Sequence, residues 1–191
     1  MAVIEFPSSA GAEGVQYYYG GQLSDTRLVG NDWYNGAAVN RVVRYTVIPS
    51  AEGASRISLF FNVSKDMAAG SVIPLRFYIG TDPNSHINAW DTSEYDGELI
   101  RNDDGCFTAE LSTLLIPGTT YYLFVFPANK VYGMYNWYRY GNSVGLTMEL
   151  FGGAGLVYID SVAYQCYIDN GSNWDLVMPY IDNGVSWDLY S

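Results

Sequence analysis

Residues 117–128 read PGTTYYLFVFPA, from Pro117 to Ala128. Pro117-Gly118 announces a turn, because proline presets φ and glycine accepts the positive φ of the next position. The residues from Tyr121 to Phe126 are aromatic, β-branched or leucine throughout, and Pro127 closes the run. So short and so aromatic a run is a strand rather than a helix. A turn followed by Tyr and Phe alternating into the core has the pattern of the penultimate strand of a β-sandwich.

Working outward, similar runs recur on both sides. AAVNRVVRYTVIP from Ala37 reads as a strand, and SRISLFFNVS from Ser55 alternates before the turn-like KDMAAGS. VIPLRFYIGT is closed by DPNS, and GELIRNDDGCFTAEL reads as two strands about the turn NDDG. SVGLTMELFGG alternates again, whereas VYGMYNWYRYG is aromatic without a clear period. Runs spaced roughly every 8 to 15 residues with turns between them indicate a sandwich or barrel. A clean helical stripe is missing, so only short helical turns around SKDMAA or LSTLL are compatible with the pattern. The expected fold is all-β, an antiparallel β-sandwich of jelly-roll or Ig-like type, with about seven to nine strands over residues 37–151. Residues 1–36, rich in Gly, Ser, Ala and Tyr, read as an N-terminal arm with one or two short strands. FGGAG at 151–155 reads as a hinge, so residues 152–191 form a third unit of hinge and repeats.

With 191 residues, 49% of them apolar, the chain can bury a sizeable core. Its net charge of −11 argues against nucleic acid, whose phosphates need Lys and Arg. The same charge argues against an anionic membrane surface, and no apolar run approaches the roughly 18 residues of a membrane span. The N-terminal residues lack a basic start and an apolar stretch, so no secretory signal is expected. Cys106 and Cys166 are too few for a disulfide framework. They read as two buried thiols or as one bridge tying the tail to the body.

The tail carries YIDNGSNWDL from Tyr167 and YIDNGVSWDL from Tyr180, with a degenerate copy, YIDSVAYQC, from Tyr158. Asn-Gly flanked by strand residues is a strong hairpin signal, because a type I′ turn needs positive φ twice. With two-residue loops at Asn170-Gly171 and Asn183-Gly184, Tyr167 would face Trp174 and Tyr180 would face Trp187, stabilising cross-strand pairs. Single hairpins are marginal in water, so the repeats need a neighbour: the body, another copy or a partner.

GLVYID…AYQCYIDNGSNWDLVMPYIDNGVSWDLYS resembles the C-terminal repeats of tail-associated structural proteins of phages and prophages of Gram-positive bacteria. The resemblance covers residues 155–191, and the first copy departs from it where Ser161-Val162 replaces Asn-Gly. It implies a non-enzymatic virion component of the tail, baseplate or fibre, made in the host cytoplasm and released by lysis. Such a protein would help adhere to the host surface or dock another virion protein. It would form a homo-oligomer, a trimer among the options, because phage tail parts follow threefold or sixfold symmetry. A capsid decoration protein is a further alternative of the same class.

A different class is a carbohydrate-binding module for cell-surface or dietary glycans. Tyr132, Tyr135, Trp137, Tyr138 and Tyr140 could stack on sugar faces, with Arg139 bonding hydroxyls. Tyr167, Trp174, Tyr180 and Trp187 of the repeats are further candidates for ligand or partner contact. Catalytic motifs are missing: there is no HExxH, GxSxG or P-loop. The single histidine, His86, lies in a polar loop and reads as a solvated side chain, so no enzyme is expected. The same loop offers oxygen ligands to calcium in Asp82, Asp91, Glu94 and Asp96, without EF-hand spacing. The default is a loop without metal or cofactor.

Overall fold

The computed structural model describes residues 2–7, 9–49, 56–67, 74–90, 94–101, 106–111, 115–129, 136–140 and 144–151. In the tail it describes 156–159, 162–165, 167–169, 174–176, 180–182 and 187–189. Among these residues every regular element is a strand. The body begins with β1 (Ala2–Pro7), β2 (Val15–Tyr19), β3 (Gln22–Ser24) and β4 (Leu28–Tyr34). It continues with β5 (Ala37–Val47), β6 (Arg56–Met67), β7 (Leu75–Gly80) and β8 (Gly97–Arg101). It ends with β9 (Cys106–Leu111), β10 (Tyr121–Pro127), β11 (Asn136–Tyr140) and β12 (Val144–Phe151).

All pairings are antiparallel. One sheet runs β1-β12-β6-β9, the other β5-β10-β7-β8. Taken in chain order, these eight strands cross between the sheets at every step except β7 to β8. That is jelly-roll connectivity, which decides between the two sandwich types the sequence allowed. At one corner β8 also pairs β9, through Ile100↔Thr108 and Arg101↔Phe107. At the other, the second half of β6 pairs β11, which pairs β4, which pairs β5. The hydrogen-bond circuit therefore closes. The free edge of β5 takes on β2, and β2 takes on β3.

The main core lies between the sheets. Phe6, Phe107, Leu146 and Met148 come from one; Val43, Tyr45, Phe77, Leu123 and Val125 come from the other. Burial of each such side chain contributes roughly 1.5–3 kcal/mol.

Residues 1–36 do not form a separate arm. They supply β1 to β4, because their apolar residues have a place in the core: the Phe6 ring sits 5.3 Å from that of Tyr45. Residues Lys65–Met67, expected in a turn, extend β6 instead and pair with β11.

The strand Tyr121–Pro127 holds a second surprise. Leu123 and Val125 point into the main core, while Phe124 and Phe126 point the other way and are equally buried. The phenylalanines belong to an outer layer with Tyr18, Val42 and Ala89. The segment after β7 covers them. Asn40 Nδ2 donates to the Ala89 carbonyl at 2.7 Å, and the Arg44 guanidinium donates to the Pro83 carbonyl. These side chains satisfy backbone carbonyls that a loop on a sheet would otherwise bury unpaired.

In the tail, β13 (Leu156–Ile159) pairs β14 (Val162–Gln165), β15 (Tyr167–Asp169) pairs β16 (Trp174–Leu176), and β17 (Tyr180–Asp182) pairs β18 (Trp187–Leu189). Each pair is its own two-stranded sheet. The register corrects the expected Tyr–Trp pairs. Tyr167 lies opposite Leu176 and Tyr180 opposite Leu189, while Trp174 and Trp187 face Asp169 and Asp182. Residues 170–173 and 183–186, which hold the two Asn-Gly pairs, fall outside the described residues. In the copy that lost Asn-Gly, Ile159 pairs Val162.

Candidate functional site

A cleft of about 650 Å³ opens beside the β2–β3 hairpin. Gly20 and Gly21, both at positive φ (56° and 81°), make the two-residue turn that joins these strands, so Tyr19 pairs Gln22 and Tyr17 pairs Ser24. Directly paired residues share a face of a sheet. Tyr17, Tyr19, Gln22 and Ser24 therefore lie on one face, and all four line the cleft. Ala10 and Gly11, from the segment between β1 and β2, are also part of its lining. Leu23, 69% exposed, and Asp25 stand at its rim.

The aromatic side of the cleft is held from behind. Arg41 lies opposite Tyr19 in the β5–β2 register, with its guanidinium 4.2 Å from the Tyr19 ring centroid. That stacking is worth roughly 0.5–2 kcal/mol. Arg41 is fixed in turn. Its Nε and Nη2 donate to Asp32 Oδ2 at 2.8 and 2.6 Å, and its Nη1 donates to Thr26 Oγ1 at 3.0 Å. Thr26 Oγ1 is 2.8 Å from Ser24 Oγ. A continuous network thus runs from the buried Asp32 carboxylate to a hydroxyl on the cleft wall. The Tyr34 ring meets Tyr19 edge-on at 6.1 Å. Burial pushes the Tyr17 phenol well above its ordinary pKa, with Arg27 opposing. Tyr17 is therefore a neutral hydroxyl across the physiological range.

Chemically the cleft offers a positioned ring, an amide, hydroxyls and one rim carboxylate. Asp25 is the one carboxylate among its lining residues, which include no His or Cys. The arrangement suits binding of a small polar molecule.

The residues singled out from the sequence lie elsewhere. Tyr132 and Tyr135 fall outside the described residues. Trp137, Tyr138, Arg139 and Tyr140 lie on β11, between β6 and β4. Tyr167, Trp174, Tyr180 and Trp187 are distributed over the tail strand pairs. Cys106 opens β9, and Cys166 falls outside the described residues.

Among the described residues, no three His, Cys, Asp or Glu side chains converge on a common point. Asp82 Oδ1 accepts from the Asn84 N–H at 2.9 Å, and Asp96 Oδ2 accepts from the Ile79 N–H at 2.7 Å. Both carboxylates shape backbone. The Glu94 side chain is exposed, and Asp91 falls outside the described residues.

His86 is not solvated. It is 7% exposed and stacks on Tyr78 with centroids 3.9 Å apart. Phe124 and Phe126 each lie 5.6 Å away. Its Nε2–H donates to the Glu94 carbonyl at 2.8 Å, because a carbonyl can only accept. Its Nδ1 is 2.9 Å from Ser85 Oγ. The ring fastens the loop; it does not face the cleft.

Comparison with known proteins finds no match: no family model, no curated protein and no solved structure matches the chain.

The signal for the cleft was present in the sequence. YYYGGQLS places Gly-Gly between a tyrosine run and polar residues, a hairpin word in its own right. It sits in a stretch whose glycine content reads as an arm.

Proposed function

We propose that this protein is a non-enzymatic structural component of a phage or prophage particle, in its tail, baseplate or fibre. There it contributes to host-surface adhesion or docks another virion protein. The observation that carries the reading is the repeated ten-residue word behind an all-β body, its two full copies each paired as a separate two-stranded unit. Repetition of one small unit raises effective concentration at a surface without new chemistry. The two-stranded units are too small to be stable alone, which favours burial against copies of the same chain or a neighbouring virion protein. A capsid decoration role would use the same device at another position on the particle.

The test is mass spectrometry of particles purified after induction of the source strain. The protein is expected at a stoichiometry that is a multiple of three. Absence from the particles sinks the reading. Light scattering of the full chain beside a version ending at Gly153 then separates the two uses of the repeat. A fall in the number of subunits assigns it to assembly, and an unchanged number assigns it to an outward partner.

A second reading, carbohydrate recognition, is favoured by the Tyr19 cleft. It is compatible with the first, since adhesion needs a receptor.

A further inference from the structure

We infer that the β2–β3 cleft is a binding site for an uncharged saccharide of one or two rings. The inference rests on the adhesion reading for its biological setting, and supplies that reading with a site and a class of ligand.

Four features lead to it. The first is size: about 650 Å³ lies inside the roughly 300–1,000 Å³ range of small-ligand clefts. The second is the mix of surfaces. A sugar ring presents an apolar C–H face and a belt of hydroxyls that both donate and accept. The cleft matches this with the Tyr19 ring, the Gln22 amide, the Ser24 hydroxyl and the Asp25 carboxylate.

The third is rigidity. Tyr19 carries the Arg41 guanidinium against its ring, Arg41 is tied to Asp32 and Thr26, and Thr26 reaches Ser24. Tyr19 and Ser24, two of the side chains that would meet the ligand, are thus held in place before it arrives, which lowers the entropic cost of binding. The fourth is charge. Arg41 is not among the lining residues, and its charge is already matched by Asp32. Asp25 at the rim and the chain's net charge of −11 disfavour anionic sugars, phosphates and sialic acids.

The test is saturation-transfer NMR on the full chain. The probes are glucose, galactose, N-acetylglucosamine and N-acetylgalactosamine in millimolar excess, with N-acetylneuraminic acid as the anionic comparison. At least one neutral sugar is expected to receive saturation, and the anionic sugar none. The double variant Gln22→Ala/Ser24→Ala removes two hydrogen-bonding groups from a short edge strand, and should weaken binding about tenfold. Tyr19→Ala should abolish it. Ile100→Ser, an exposed change on β8, should leave binding intact. Silence from all four neutral sugars overturns the inference. So does preference for the anionic sugar, or binding undiminished in the Gln22/Ser24 variant. Particle incorporation is read separately, so a virion protein without sugar binding loses only this inference.

Discussion

The two faces of strand β10 are both buried, but by different means. The inner face meets a second sheet, and the contact is made by side chains alternating along many strands. The outer face is covered by the segment following β7, a loop that carries its own backbone polar groups onto an apolar surface. The inner layer is dominated by apolar side chains. The outer one has polar partners for the loop's carbonyls: Asn40 for Ala89, Arg44 for Pro83, and His86 for Glu94. A strand with both faces buried therefore does not need two sheets. One sheet and a well-anchored loop suffice.

The comparison makes ranked predictions. Phe77→Ala, in the main core, should cost about 3–5 kcal/mol in urea unfolding, because neighbours fixed in two sheets cannot collapse into the space. It should lower protection from amide exchange across the whole body. His86→Ala should cost less, about 2 kcal/mol, from a lost stack and lost hydrogen bonds. Its exchange effect should be confined to the loop, beginning with the Ala89 N–H that donates to the His86 carbonyl. Global loss of protection in His86→Ala would erase the distinction between the layers.

The smallest effect is alkaline. Burial raises the pKa of both Tyr17, in the inner layer, and Tyr18, in the outer, above the ordinary 10.0. In the unfolded chain these phenols lose protons near that ordinary value; in the folded chain they hold them to higher pH. Unfolding then releases protons, so the stability they contribute is complete below about pH 10 and is lost as pH rises beyond it. Tyr17→Phe should flatten the alkaline limb of a stability-against-pH curve, and Tyr18→Phe should flatten it less. The reverse order would mean that the outer layer holds its phenol in the drier site.

The dipeptide Asn-Gly shows how far local sequence reaches. At Asn35-Gly36 it makes the tight turn its chemistry favours, with φ of 49° and 78° and Tyr34 paired with Ala37. At 170–171 and 183–184 the same dipeptide falls outside the described residues, and the flanking strands pair Tyr with Leu and Asp with Trp. The first turn is embedded in a sheet whose twist and register are set by further strands. Among the described residues the strands flanking the others form two-stranded pairs only. His86 makes the same point. Its polar sequence neighbours suggested water, yet its spatial neighbours are Tyr78, Phe124 and Phe126, which come from two other stretches of chain.

By itself the sequence determined the all-β class and the positions of β5, β7, β8, β9, β10 and β12. Alternation, β-branched and aromatic content and turn residues act over a few neighbours, so they are visible in one dimension. It also displayed the tail repeat as a word. Only the tertiary structure decided that β1 to β4 belong to the body, that the connectivity is a jelly roll, that β10 serves two layers, and that a cleft forms at Tyr19. Each of these depends on contacts between residues far apart in the chain, where the free energy comes from shared burial and no local propensity records the partner.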